Sequence, residues 1–474
     1  MRPRPRLRWL RSNSLRLAIG LGLLAAVLRL PLALTSPFWQ DEVASARLLD
    51  AHTFAGAMHG VVRTESTPPL WYAVAWLVHR AGVPILDVRL LSVAADALLV
   101  TLAVILSARL LPLRFAALTG ALLAVGAEFS GEGRWIRAYE LFALLAVVLA
   151  LALLHAAAGA TLRRLTLLAA AVAAGSLTHY FFLFTLAAAV AWAAFEPAAR
   201  AVRGRLLLAM AAGLVPFVVW SPAFVKQFRH HRYGWIGPFD WREVVETPLR
   251  LFSYAGSGAP VRAGALACLL ACAVGCRYLW NRGPGGRLCA ALAVVPLVLA
   301  AAVWAAGVRV YDIRNMVGIG PFLAIAASAA LASLPARLRV VAPALVVAAA
   351  CASFVWAQQQ DQGPAYDRLA HALVADGWRT GDAVAVFGNR SEFRSPLEWY
   401  LPGNPLLATT VASQIDEPVF VIDSKALSGH AVGIRRVANL LVERLHAVRP
   451  ELYRKLLRRA NIFISSKPPS RVRV

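Results

Sequence analysis

This chain of 474 residues is short of charge, and above all of negative charge: only 16% of it is charged, with 25 acidic against 49 basic side chains. Little charge combined with 59% hydrophobic residues excludes an ordinary soluble domain. Cysteine is also sparse. The five, Cys268, Cys272, Cys276, Cys289 and Cys351, lie in or beside apolar runs, which excludes an oxidised framework. Three of them, spaced by four, would line one helix face, but no His or carboxylate joins them at ligand spacing, so they read as small apolar side chains. There is no internal repeat, no low-complexity tract beyond an Ala, Leu and Val bias, and no basic, aromatic-rich domain. The net charge of +24 therefore does not read as a nucleic-acid surface, and no nucleic-acid partner is expected.

What is present in abundance is apolar sequence in runs of about 20 residues, each enough to cross a hydrocarbon core roughly 30 Å thick. The arginines gather in short clusters between these runs, where they orient helices rather than bind a ligand. The opening "MRPRPRLRWLRSNSLR" looks like a signal-peptide n-region, but with so many later runs a retained first helix is expected. With these arginines in the cytoplasm, eleven spans keep the basic turns inside. Span one runs at about 16–34 and span two at about 89–108, span three from the cytoplasmic "ARLLPLR" out to about 128, and span four at about 139–159. Span five runs from "TLRR" out to His179, span six back to "EPAARAVRGR" and span seven out to near Trp220. Span eight runs in to "CRYLWNRGPGGR", span nine at about 288–307, span ten in to "LPARLR" and span eleven at about 340–357.

The fold class expected is thus mainly α. Residues 1–357 form a polytopic helical membrane domain of about eleven transmembrane helices plus juxtamembrane helices, and 358–474 a small α/β extracytoplasmic domain. In the tail, "AYDRLAHALVADGW" reads as a helix, "DAVAVFG" and "PVFVID" as strands and "IRRVANLLVERLHAV" as an amphipathic helix. The first outer loop, 35–88, contains "PPLWYAVAWLVHRAG", too short to span and read as a helix at the interface, a depth that suits Trp71, Tyr72 and Trp76. Residues 222–260 form an aromatic and basic outer loop, whose "RHHRYGW" reads as solvated rather than as a metal or headgroup site.

On this topology the unusual polar groups fall on the outer face. Asp41 and Glu42 lie in the first loop, and Glu128, Glu132, Arg134, Arg137, Tyr139 and Glu140 in the second. His179 and Tyr180 end the fifth span, and Asp312 and Arg314 separate the ninth and tenth. A carboxylate there can act as a general base on a hydroxyl, and arginines can grip a phosphate. Acid plus cations points to group transfer from a lipid phosphate. Each residue also has a plainer reading: Asp41 and Glu42 as first-turn helix carboxylates, Arg134 and Arg137 as snorkelling side chains, His179 as a packed imidazole and Arg314 as an interfacial anchor.

The ordered series "FWQDE", "ESTPPLWYAVAWLVHRAG", "RLLSVAADALLVTLAVILSARLL", "EGRWIRAYELFALL", "LTHYFFLF" and "VYDIRNMVGIGPFLAI" resembles the successive motifs of GT-C glycosyltransferases. The relatives it is similar to are bacterial protein O-mannosyltransferases and the aminoarabinose transferase family. The resemblance covers 36 to about 330. It implies an inverting transferase of the cytoplasmic membrane, moving a sugar from a polyprenyl-phosphate donor to a hydroxyl of a lipid, glycan or protein acceptor at the outer face. It further implies that Asp41 is the base and that Glu42 orients the acceptor or supports Asp41. Arg137 with Tyr139 matches the family's Arg-x-Tyr segment and would take the donor phosphate, and His179, Tyr180 and Arg314 would reach the leaving phosphate. Arg134, on the same outer face, is a further candidate for the donor phosphate by its place and charge alone.

One departure is Thr67, where many relatives carry His or Asn before the paired prolines. Some members use a divalent cation; here no compact ligand motif appears and the metal is left unassigned. The competing readings are a transporter or flippase of lipid-linked glycans and a scaffold presenting the tail. Against a transporter stand the missing repeat and the gathering of charge on one face.

Overall fold

The computed structural model describes residues 12–229, 236–254 and 259–360, together with 367, 370–371, 374, 384–387, 399–401, 420–423 and 443–444. The chain divides into two compact units: Met1–Leu34 with Leu48–Ala357, and Thr35–Arg47 with Gln358–Val474.

The regular elements among the larger unit's described residues are all helices. Among the described residues, eight helices are long and apolar enough to cross a membrane. Six stand alone: α1 (Ser12–Thr35), α8 (Tyr139–Ala157), α11 (Arg203–Arg229), α13 (Ala259–Trp280), α14 (Pro284–Ala305) and α16 (Leu338–Gln360). The other two, α5 (Arg89–Ala108) and α15 (Gly320–Ser333), each continue a short 3₁₀ segment, Leu86–Val88 and Ile313–Ile319. The protein is a multi-pass membrane protein. The three other segments expected to span are also helical but shorter: α6 (Leu113–Val125), α9 (Leu162–Ser176) and α10 (Phe182–Phe195), of 13, 15 and 14 residues. At 1.5 Å per residue they reach about 20 Å, well short of a hydrocarbon core. Their apolar surface is instead taken up by neighbours, α6 against α5 and α15, α9 against α8 and α11, α10 against α14.

Between α1 and α5 the expected outer loop is almost entirely helical: α2 (Gln40–Leu49), α3 (Phe54–Thr64) and α4 (Leu70–Arg80). Thr53 caps α3 by accepting from the Gly56 amide at 3.1 Å. Pro68 and Pro69 stop the chain from continuing helically into α4, which ends where Gly82 adopts a φ of +99° that a side chain would resist. Of α4's aromatics, Trp71 and Tyr72 are buried inside the protein and Trp76 keeps partial exposure. The 11-residue α4 packs its buried aromatics against the protein and lies on α3.

Two further expectations on loops are revised. Residues 222–229 belong to α11, which runs through Pro216 and Pro222, and α12 (Trp241–Arg250) is an amphipathic helix capped by Asp240. His230, His231 and the rest of "RHHRYGW" after Arg229 lie outside the described residues.

In the smaller unit, β1 (Val384–Phe387) and β2 (Phe420–Asp423) pair in parallel, and β2 pairs antiparallel with β3 (Glu443–Arg444). Both apolar tail segments read as strands contain one. Asp367, Ala370, His371 and Val374 are helical, within the helix expected at 365–378. Glu443 and Arg444, by contrast, are strand where an amphipathic helix is expected, because sheet pairing with Phe420 and Val421 overrides a local periodicity. Phe38 also belongs to this unit: its amide donates to the Tyr400 hydroxyl at 2.6 Å and its ring meets Trp399 edge-on at 5.8 Å.

Candidate functional site

Asp41 and Glu42 occupy the first turn of α2. Trp39 precedes the helix and its carbonyl accepts from Val43 at 3.0 Å, while Glu42 Oε2 accepts the Trp39 amide at 3.4 Å. Glu42, fully buried, therefore makes the carboxylate-to-amide half of a capping box, and Asp41 stands beside it with partial exposure. Both belong to the smaller unit. The plainer reading, carboxylates at a helix N-terminus, is met by Glu42.

The other candidates lie in the larger unit, and the turn between α7 (Ala127–Glu132) and α8 organises them. It is wound tightly: Gly133 donates to the Phe129 carbonyl at 2.9 Å and Arg137 to that of Trp135 at 2.8 Å. Ser92 on α5 donates to the Trp135 carbonyl at 2.5 Å and to that of Arg137 at 3.4 Å. This turn places Arg134 and Arg137 inside the protein, 3% and 9% exposed, so neither snorkels. Arg134 lies over the Trp135 ring at 5.7 Å.

Arg137 meets Glu65, its Nη1 donating to Oε2 at 3.1 Å and, at 3.4 Å, to the Tyr72 hydroxyl. Tyr72 donates to the same Glu65 oxygen at 2.6 Å and accepts from the Thr67 hydroxyl at 3.2 Å. Burial first, then the Glu65 charge, pushes the Tyr72 hydroxyl well above its ordinary range, which keeps it a donor. Thr67, where the motif departs from its relatives, thus feeds a hydroxyl into this chain.

Arg137 also stands 5.9 Å from the Tyr139 ring, which is 5.5 Å from the His179 ring; His179 stacks on Phe142 at 4.8 Å and 9°. The His179 Nδ1 accepts from the Phe181 amide at 3.3 Å. Burial, with Arg137 adding to it, pushes the imidazole down to about 3, so it is neutral at physiological pH. The His179–Tyr180 pair diverges. Tyr180 donates to Gln227 Oε1 and accepts from Trp220 at 3.0 Å, and Gln227 in turn donates to the Val61 and Thr67 carbonyls at 2.9 and 3.4 Å. Tyr180 thereby ties the α9–α10 connection to α11, and Gln227 ties α11 to the segment before α4.

Arg314 lies on the 3₁₀ segment capped by Asp312, to whose Oδ1 both its amide and its Nε donate, at 3.0 and 3.1 Å. That segment packs on α8, with Gly318 against Phe142. Glu132 and Glu140 are buried, and Glu128 is half-buried, its amide donating to the Leu251 carbonyl at 3.4 Å.

The sequence reading assigned no role to Glu65 and Tyr72, and it passed over Arg29, Asp96 and Gln227. Arg29 and Asp96 form a buried ion pair at 2.9 Å between α1 and α5, beside the Glu140 carboxyl. Their signal was there to read: ionisable residues in the middle of apolar runs. Among the described residues no group of three or more His, Cys, Asp and Glu side chains is arranged to hold a metal.

These elements define a multi-pass helical membrane protein whose buried arginine-centred cluster is formed by the α3–α4 segment, the α7–α8 turn and the start of α10. No protein-family profile matches the sequence, and no curated protein matches it either. Solved structures do. ArnT from Cupriavidus metallidurans in the apo state superposes with a TM-score of 0.57 at 13% identity, over 86% of this chain and 92% of that one. ArnT from the same organism bound to undecaprenyl phosphate gives 0.51 at 14% identity, over 83% and 86%. The chain shares the fold of these two ArnT structures.

Proposed function

We propose that this protein is an inverting glycosyltransferase that takes a sugar from a polyprenyl-phosphate donor and passes it to an acceptor hydroxyl at the outer face of the cytoplasmic membrane. The observation that carries this reading is the buried cluster of Arg137, Glu65, Tyr72, Tyr139 and His179, set in a fold shared with an ArnT that binds undecaprenyl phosphate. A fold alone does not fix an activity, and buried ionisable groups in a membrane protein are costly unless they serve a site.

In this reading Arg137 takes the donor phosphate, since guanidinium stays charged and matches phosphate geometry. The departing phosphate ester needs charge stabilisation rather than a proton, which Arg137, Arg134 and Arg314 supply. Asp41 is the base for the acceptor hydroxyl, with Glu42 holding the first turn of α2 in shape. His179, neutral, lends a packed aromatic support beneath Arg137 and Tyr139. Partners are then the lipid-linked donor and a lipid, glycan or protein acceptor.

The test is sugar release from a panel of polyprenyl-phosphate sugars by the purified full-length protein in lipid, comparing wild type with Asp41→Asn and Arg137→Ala. Turnover of one donor, abolished by Asp41→Asn, is expected. Equal turnover in both variants and wild type would reject these assignments, and donor translocation without release would put the flippase reading first.

A further inference from the structure

Arg137 Nη1 donates both to Glu65 Oε2 and to the Tyr72 hydroxyl, which itself donates to the same carboxylate oxygen. We infer that Glu65 and Tyr72 are positioning residues that set the Arg137 guanidinium for a lipid-linked phosphate. This rests on the phosphate-binding reading of Arg137 given above.

The argument is one of fixed points. Arg137 is buried, and its backbone is pinned by Ser92 and by its own turn. An arginine side chain nevertheless has several rotatable bonds between that backbone and its charge, so a pinned backbone does not place the guanidinium. Glu65 supplies the missing point. It stands at the C-terminal end of α3, where its amide closes the helix onto the Val61 carbonyl at 3.0 Å. Its Oε2 receives both the Tyr72 hydroxyl and Arg137 Nη1. Tyr72 is held in turn by Thr67, and the Thr67 carbonyl by Gln227. Hydrogen bonds in such a chain polarise one another, and each member here is buried.

The arrangement has a rival explanation with the opposite sign. A carboxylate on the phosphate-binding arginine can act as a stand-in for the phosphate, to be displaced when donor arrives. Geometry favours positioning: a displaced Glu65 would leave the Tyr72 hydroxyl, buried and 1% exposed, to lose its acceptor at the same moment. A guanidinium carries five donors, more than one carboxylate oxygen can accept, so holding one nitrogen does not consume the group.

The experiment measures binding of undecaprenyl phosphate to the full-length protein in nanodiscs, and donor KM and kcat, for Arg137→Ala, Glu65→Ala, Glu65→Gln and Tyr72→Phe, with each variant's melting temperature as a folding check. Tyr72→Phe is expected to weaken binding about 3- to 10-fold, since it removes a hydrogen bond that steadies the Glu65 carboxylate but leaves the ion pair, and Glu65→Ala roughly 10- to 100-fold, since it removes the ion pair itself. Glu65→Gln, which keeps an acceptor oxygen, recovers part of that loss. The effect falls on KM more than on kcat, which a general loss of packing would not produce. Wild-type affinity in Tyr72→Phe or Glu65→Ala, while Arg137→Ala binds weakly, overturns the positioning role. Tighter binding by Glu65→Gln overturns it in favour of the stand-in. Undiminished binding by Arg137→Ala instead rejects the phosphate reading itself.

Discussion

The Arg29 guanidinium and the Asp96 carboxylate meet at 2.9 Å with both side chains wholly excluded from solvent. Arg29 also donates to the carbonyls of Leu123, at 3.2 Å, and of Ala124, near the end of α6, where helix carbonyls lack amide partners and the dipole favours a cation. One arginine thus joins α1, α5 and α6, and Gly133 of the α7–α8 turn lies against its stem.

Asp96→Leu leaves that guanidinium buried without its counter-charge and is expected to cost about 3–5 kcal/mol. The Arg29→Leu, Asp96→Leu double variant should lose less than the sum of the two singles. Denaturant unfolding in mixed micelles reads both; strictly additive losses would mean that the pair is not coupled.

His179 makes stability depend on pH. Its folded value, about 3, lies below the 6.5 of an unfolded histidine, so below pH 6.5 the unfolded chain binds a proton that the folded chain refuses. Stability attributable to this group is complete above 6.5 and falls as pH drops toward 3, by about 1.4 kcal/mol per unit. Melting temperatures at pH 7.5 and 5 should differ less for His179→Asn than for wild type. An equal difference would show that the imidazole protonates in place.

The 3₁₀ segment that carries Arg314 lies so close to α8 that a Cβ on Gly318 would fall 2.2 Å from the Phe142 ring, the ring on which His179 stacks. Gly318→Ala is expected to destabilise by about 1–3 kcal/mol through overpacking. Combining it with Phe142→Leu should recover part of that loss. No recovery would locate the strain elsewhere.

Glu196 and Arg287 form a two-pronged pair, 2.7 Å at each contact, that fastens the α10–α11 turn to the start of α14. Hydrogen bonds from Arg287 hold the Glu196 carboxyl below its ordinary 4.5. Its contribution is therefore present above pH 4.5 and lost as pH falls through the lower folded value. Glu196→Gln should cost about 1.5–3 kcal/mol at neutral pH and progressively less in acid. A cost that does not change with pH would rule out the charge as its source.

The sequence by itself determined that this is a multi-pass membrane protein, because a hydrocarbon core imposes a length and an apolarity that no side-chain contact is needed to recognise. It also determined the GT-C resemblance, since ordered motifs survive in one dimension. Asp41 and Glu42 at a helix start were legible from local chemistry alone.

Only the tertiary structure decided which charges keep company. Arg137 lies 72 residues from Glu65 and Arg29 lies 95 from Ala124, separations across which periodicity carries no information. The shortness of α6, α9 and α10 was likewise invisible, because apolar residues that face other helices read the same as those that face lipid. The His179–Tyr180 motif shows the limit most plainly. Two neighbours in sequence turn to different partners, one to Phe142 and one to Gln227, because successive side chains leave the backbone in different directions and the packing around each decides what it meets.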